Sequence, residues 1–170
     1  MRRSNTSVHS VLLTLTLLFS ARAGAAQLAK SLDIGYPFWA GGETHPALFQ
    51  VGYRAASIRP LVPGVDFSIA TVPVALMFGL IVLSSDIDLT YPLPLGAGAI
   101  LTPRVGGSVM VGGVVGSGAY AGGFGGTVGY NVGVGLVGPT GPKTALRFDF
   151  THRRFAVPLS SLTIGFVWTP

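Results

Sequence analysis

Cysteine is absent from the 170 residues. That excludes a disulfide framework, a thiolate metal site, a cysteine nucleophile and a lipid anchor on an N-terminal cysteine. Charge is nearly as scarce. Only 10% of the residues are Asp, Glu, Lys or Arg, against about 25% in an average soluble domain. There are two lysines, Lys30 and Lys143, and a single glutamate, Glu43. A soluble particle this poor in charge presents a sticky surface; a surface that faces lipid does not meet that difficulty. Beyond the first thirty residues the chain also lacks any apolar run of about 18 residues, which argues against helical membrane spans. The formal net charge of +5 overstates the basic character. Arg2, Arg3 and Arg22 lie in a segment read below as removed, which leaves eight basic residues against six acidic ones. Arg153-Arg154 is the one basic pair that remains. A basic patch with accessible aromatics is missing, so nucleic acid is not an expected partner.

What is present at the N-terminus is a targeting pattern. Arg2 and Arg3 precede an apolar stretch from Val11 to Phe19, and small residues follow at Ala21, Ala23, Gly24, Ala25 and Ala26. A positive start, a short apolar core and small residues at the cleavage site define a secretory signal peptide, and the core is too short to span a bilayer. Residues 1–26 are therefore expected to be a cleavable signal, cut after Ala25 or Ala26, and residues 27–170 the mature domain.

The mature chain has a period of two. In Gly118 to Val137, Tyr120, Phe124, Val128, Tyr130, Val132, Val134 and Leu136 share one parity, while Gly123, Gly125, Thr127, Gly129, Asn131, Gly133 and Gly135 share the other. In a strand these two sets point to opposite faces. As a helix the same stretch would lose about 1 kcal/mol per glycine relative to alanine. The pattern recurs: Leu146, Phe148 and Phe150 alternate with Arg147, Asp149, Thr151 and Arg153, and Ile87, Leu89 and Tyr91 alternate with Asp86, Asp88 and Thr90. Eight strands are predicted, at 31–39, 47–58, 64–72, 76–91, 98–111, 118–137, 144–154 and 160–169, separated by Gly- and Pro-rich turns. Val72 to Leu83 fits poorly, being nearly all apolar with Pro73 inside it. It reads as an inward row of Phe78, Leu80 and Val82, as a bulge near Ser84-Ser85, or as a short amphipathic helix.

Alternation alone suits a soluble β-sandwich as well as a membrane barrel. The two differ in what covers the non-apolar face. A sandwich exposes it to water and fills it with Lys, Glu, Ser and Thr; here it carries Gly, Ala, Ser and a few charges. A transmembrane barrel turns the apolar face outward to lipid and the small or polar face inward, and closure leaves no strand edge unpaired in lipid. The expected fold is thus all-β: a closed antiparallel up-and-down transmembrane β-barrel of about eight strands. The inward parity collects Arg54, Arg104, Arg147 and Arg153 together with Asp66, Asp86, Asp88 and Asp149, which are expected to form a salt-bridged network, because buried charge persists only when paired. Tyr36, Trp39, Tyr53, Tyr91, Tyr120, Tyr130 and Trp168 are candidates for interfacial girdles.

These features resemble small bacterial outer-membrane β-barrel proteins, the broad class that includes the OmpA membrane domain and OmpX. The resemblance rests on the signal peptide followed by Gly/aromatic strands, on the stretch Leu146 to Phe155, and on the C-terminal strand Thr163-Ile164-Gly165-Phe166-Val167-Trp168. Thr163, Gly165, Phe166 and Trp168 are similar to the family's assembly signal, although the chain ends Thr169-Pro170 rather than on an aromatic. The resemblance implies outer-membrane lipid and the barrel-assembly machinery as partners. With an even strand number both termini face the periplasm, and a monomer is expected.

Chemistry is sparse. His152, Ser160 or Ser161, and Asp149 are the candidates for a hydrolytic site, but His152 shares the parity of Phe148 and Phe150 while Asp149 faces the other way, which opposes a His–Asp pair. His45 and Glu43 are two ligands, too few for a metal. Gly123 to Gly129 lies inside a strand pattern with no following helix, unlike a phosphate loop. No enzyme activity and no cofactor are expected. The expected role is structural or surface-interacting, with a barrel interior filled by side chains; the alternatives are a narrow small-solute pore and a soluble periplasmic or secreted β-sandwich that binds a ligand. Export in a Gram-negative host should shorten the chain by 25 or 26 residues. The intact mass of the purified protein checks this, and a full-length mass refutes the signal peptide.

Overall fold

The computed structural model describes residues 28–39, 49–73, 75, 79–114, 123–156 and 158–169. Nine strands follow one another: β1 (Leu28–Trp39), β2 (Gln50–Ser57), β3 (Gly64–Thr71), β4 (Leu80–Thr90), β5 (Leu93–Gly96), β6 (Ala99–Val114), β7 (Phe124–Pro139), β8 (Thr144–Arg154) and β9 (Pro158–Trp168). They form one sheet in the order β4-β3-β2-β1-β9-β8-β7-β6, with the short β5 lying only against the start of β6. A further antiparallel ladder from Leu80–Val114 to Thr90–Arg104 joins β4 to β6 and closes the sheet on itself. The eight long strands are therefore a closed antiparallel barrel. A single closed sheet excludes the soluble sandwich, which needs two sheets packed face to face.

Alternation decides which way the barrel faces. Along β8, Arg147, Asp149, Thr151 and Arg153 are buried, while Phe148 is 50% exposed. Along β4, Asp86 and Asp88 are buried, while Leu89 is 67% exposed. Leu32, Ile34, Ile87, Val105, Val128, Leu162, Ile164 and Phe166 continue the exposed apolar surface around the outside. The apolar face is outside and the polar face inside, the reverse of a soluble domain and the arrangement of a barrel that contacts lipid.

The two ends differ. One carries the start of β1, the end of β9 and the connections at 58–63, 91–98 and 140–143. The N–H of Leu61 donates to the carbonyl of Pro92 (2.8 Å), which ties the first of these connections to the second. The N–H of Thr169 donates to the Lys143 carbonyl (3.1 Å) and holds the last strand to the third. The other end carries the connections β1–β2, β3–β4, β6–β7 and β8–β9.

Several boundaries differ from the sequence reading, most by one to three residues. The first strand begins at Leu28 rather than 31, because it stays paired with β2 as far as Ser57. The fourth begins at Leu80, after a turn at Gly79 with φ +69°, rather than at 76; residues 76–78 lie outside the described residues. Its register to β3 and β6 runs without a shift, so there is no bulge at Ser84-Ser85. Leu80 and Val82 instead continue the inward row of Ser84, Asp86 and Asp88, as their parity requires. Phe78 and residues 118–122 of the sixth predicted strand lie outside the described residues. The sixth strand extends to Val114, because Gly112 and Gly113, read as a turn, remain laddered to Gly125 and Phe124. Pro92 to Gly96, also read as a turn, contains β5, which folds back on β6 through Ala97-Gly98.

That hairpin needs positive φ at Gly96 (+92°), Ala97 (+50°) and Gly98 (+77°). Alanine in the left-handed region carries a cost of about 1 kcal/mol, and a Cβ on Gly98 would stand 3.0 Å from Pro139 Cγ. Ala97→Gly should leave stability unchanged or raise it by roughly 0.5 kcal/mol, and Gly98→Ala should lower it by about 1–2 kcal/mol. Urea unfolding of the detergent-solubilised barrel, followed by tryptophan fluorescence, reads both signs.

Candidate functional site

The barrel interior gathers the charge that the exterior lacks. Strands of period two carry every second residue inward, so the five aspartates Asp33, Asp66, Asp86, Asp88 and Asp149 and the four arginines Arg54, Arg104, Arg147 and Arg153 all project into the lumen and are buried. Seven of them make one connected chain. Arg54 donates through Nε to Asp33 (3.2 Å) and through Nη1 to Asp66 (2.9 Å). Asp66 also accepts from Arg147 Nη2 (2.9 Å), whose Nε donates to Asp149 (2.7 Å). Asp149 in turn accepts from Arg104, which also donates to the Thr151 hydroxyl and holds its Nε 3.5 Å from Asp88. The other two charges form a separate pair: Arg153 donates to Asp86 through Nη2 (2.6 Å) and Nε (2.9 Å) and to Ser161 through Nη1 (2.9 Å). Ser68 and Ser108 donate to the same carboxylate, and Asn131 donates to Ser108 (2.8 Å).

Two of these contacts span the lumen. β8 is laddered only to β7 and β9, yet Arg147 and Arg153 of β8 reach Asp66 on β3 and Asp86 on β4. Side chains this long fit inside a narrow barrel only where the positions beside them on the adjacent strands are bare. Glycines make it so. A Cβ on Gly133 would lie 2.8 Å from Arg104 Nε, one on Gly135 would meet Asp149 and Thr102, and one on Gly106 would meet Asp88.

Arg54, Asp66, Asp86, Asp88, Arg104, Arg147, Asp149 and Arg153 are buried in the lumen, together with Asp33. Asp33 is an addition to the expected set, although its signal is present: it alternates with Leu32 and Ile34 in the strand predicted at 31–39. With it, carboxylates outnumber guanidiniums by five to four. The one that lacks any hydrogen bond on either oxygen is Asp88.

The C-terminal strand places Thr163 and Gly165 inward and Phe166 outward, with Trp168 paired to Lys30 and Thr144 at its end. Gly165 has a direct packing reason, since a Cβ there would collide with the Asp33 carboxylate. Among the girdle candidates, Tyr91 and Trp168 lie at the terminus-bearing end and Tyr36 toward the other end of β1; Tyr53 and Tyr130 sit within their strands. The Trp39 side chain and Tyr120 lie outside the described residues, as do His45 and Glu43.

On the outer face His152 Nδ1 lies 2.8 Å from Ser160 Oγ. The two residues are direct cross-strand partners. Asp149 points to the opposite face, into the ion-pair chain, so among the described residues no carboxylate orients the imidazole. No group of potential metal ligands occurs among the described residues.

A closed eight-strand barrel with a charged lumen and an apolar exterior has the fold of the small outer-membrane β-barrels. Among solved structures, the chain is similar to Ail, the attachment invasion locus protein of Yersinia pestis, at 9% identity and TM-score 0.61 over 85% of this chain and 97% of that one. It is similar to Neisserial surface protein A at 12% identity and TM-score 0.64, over 84% and 97% of the two chains. The N-terminal β-barrel domain of Pseudomonas aeruginosa OprF matches at 11% identity and TM-score 0.55, over 84% and 99%. No protein-family model and no curated protein sequence matches the chain.

Removing one member of a buried ion pair strands the other, at a cost of about 3–5 kcal/mol. Arg147→Met should destabilise the barrel by that amount, and Arg147→Glu by more, because Asp66 and Asp149 would then face a third carboxylate. Asp33→Asn, at the end of the chain with a single arginine contact, should cost less. Unfolding midpoints in urea with detergent check the order; an Arg147→Glu barrel as stable as the parent refutes it.

Proposed function

We propose that this chain is an integral outer-membrane protein with a structural or surface-interacting role, its barrel serving as a closed wall element rather than a conduit. The observation that carries the reading is the pair of cross-lumen contacts, Arg147–Asp66 and Arg153–Asp86, within a barrel whose outer surface is apolar. An eight-strand barrel has an interior just wide enough for side chains. Here those side chains are linked by charge-assisted hydrogen bonds, so an ion would have to break them to pass. The narrow pore is the weaker alternative for that reason. A non-catalytic role fits the chemistry: among the described residues no carboxylate contacts His152 and Ser160, and the aspartates face arginines inside.

On this reading residues 1–26 are the export signal, both termini face the periplasm, and the connections β1–β2, β3–β4, β6–β7 and β8–β9 face the cell exterior. Lipid contacts the apolar band, and the barrel-assembly machinery reads Thr163, Gly165, Phe166 and Trp168. The protein functions as a monomer, since closure leaves none of the eight long strands with an edge to pair with a second copy.

Two measurements test the reading together. Expressed in a Gram-negative host, the protein should fractionate with outer membranes and change mobility on a denaturing gel between unboiled and boiled samples. Reconstituted in planar bilayers, it should show no regular conductance steps. A soluble periplasmic protein without a mobility change refutes the membrane assignment. A folded barrel that conducts refutes the closed wall and selects the pore.

A further inference from the structure

The charge network fills only part of the lumen. At the opposite end from the termini lies a cavity of about 470 Å³. The boundary between the two regions is abrupt. A single residue separates Ser84 in the cavity wall from Asp86 in the network, Met110 from Ser108, and Leu159 from Ser161. No charged side chain lines the cavity among the described residues. Its hydroxyls are largely engaged elsewhere: Thr71 Oγ1 donates to the Val82 carbonyl (2.8 Å), and Ser84 Oγ to that of Ala70 (3.5 Å). What remains is an apolar surface of Pro37, Val82, Met110 and Leu159 with the Gln50 amide and the Thr127 hydroxyl as polar handles.

Small residues keep this space open. Ala70, Gly112 and Gly125 face it. In the charged region the space at the inward glycines is filled by side chains of the adjacent strands, whereas a Cβ on Gly125 would meet nothing within 4 Å. The glycines of the cavity end therefore make room for no side chain of the described residues. An apolar cavity of roughly 150 Å³ stays dry and takes up benzene, and ligand pockets begin at about 300 Å³. The depth follows from the strand: Leu80 to Ser84 spans about 13 Å along a tilted β4. A volume of about 470 Å³ over that short depth is broad rather than slot-like.

We propose that this well is a binding site for a small, neutral, compact hydrophobic molecule of one or two rings. Neutrality follows from the uncharged wall, since burying an unpaired charge there is costly. Compactness follows from the breadth and from the ion-pair floor, which stops a long chain from threading deeper. The inference goes beyond the closed-wall role and survives or fails independently of where the protein resides.

The methionines supply the readout. The chain has three, Met1, Met77 and Met110; removal of the signal leaves two, and Met110 lines the well. The full mature barrel, labelled with ¹³C-methyl methionine in deuterated detergent, is titrated with naphthalene and with naphthalene-2-sulfonate. Naphthalene should shift the Met110 methyl saturably and give nuclear Overhauser contacts to it, and the sulfonate should not. Gly125→Phe, which fills the well without a backbone clash, should weaken the naphthalene response at least about tenfold. Ala70→Phe is the second variant should the first not fold, each checked by its mobility change on the gel. Met110 contacts to water alone, to detergent alkyl chains, or to the protein's own loop residues, with no saturable naphthalene shift, overturn the proposal. So does an undiminished response in a folded filled variant.

Discussion

Everything in this molecule depends on the β4–β6 ladder. In hydrocarbon no water is present to satisfy a free N–H or C=O, and each unsatisfied group costs several kcal/mol. A sheet of eight strands has two edges, and the pairing of Leu80–Thr90 with Arg104–Val114 removes both. Once the sheet is closed, the sides of the wall are no longer equivalent. The outside can be apolar without aggregating, because lipid covers it. The inside is too narrow for large side chains from every strand. The scarcity of charge, the abundance of glycine and the alternation of the sequence are consequences of that single geometric fact.

The charged lumen follows from the same constraint by a second step. A small barrel filled only with inward alanines and glycines would be hollow, and a hollow polar tube fills with water. Arginines of opposing strands span the space, and each needs both a carboxylate and a vacated wall. Sequence spacing meets the two demands at once: Arg147, Asp149, Thr151 and Arg153 occupy alternate positions of β8, while Gly133 and Gly135 stand beside them on β7. Gly165 and Asp33 repeat the arrangement between β9 and β1. At the charged level of the lumen glycine and charge are thus one device: the bare wall positions there are the ones the charged side chains occupy.

How far this was legible from the sequence depends on which coordinate is asked about. Parity is written in the order of residues, so the strands, the closed barrel and the inward set of Arg54, Arg104, Arg147, Arg153, Asp66, Asp86, Asp88 and Asp149 could be read directly. Asp33 obeys the same parity but is the lone inward charge of its strand, so nothing on that strand marks it as part of a network; pairing with β2 and β9 brings Arg54 and Gly165 beside it. β5 was hidden because Pro92 to Gly96 has turn composition, and its ladder exists only through the left-handed residues that follow. Height along the barrel axis was not legible, because parity says which face a residue takes and nothing about its level. That is why the partners within the charge set could not be assigned, and why the apolar well went unseen although each of its wall residues had been placed on a strand or beside one.

The division of the lumen into two levels also explains the one stretch whose pattern resisted reading. Val72 to Leu83 looked wrong for a barrel strand because its inward parity is apolar where the other strands are polar. Leu80 and Val82 do face inward, and they do so at a level where Ala70, Met110, Gly112 and Leu159 surround them. The same strand turns polar at Ser84 and charged at Asp86 and Asp88, where Ser68, Ser108 and Arg153 await it. Its composition changes because its surroundings change. A run of residues that breaks the local rule of its fold is thereby a marker of a boundary in the interior, and here that boundary separates a region held shut by ion pairs from one left open by small residues.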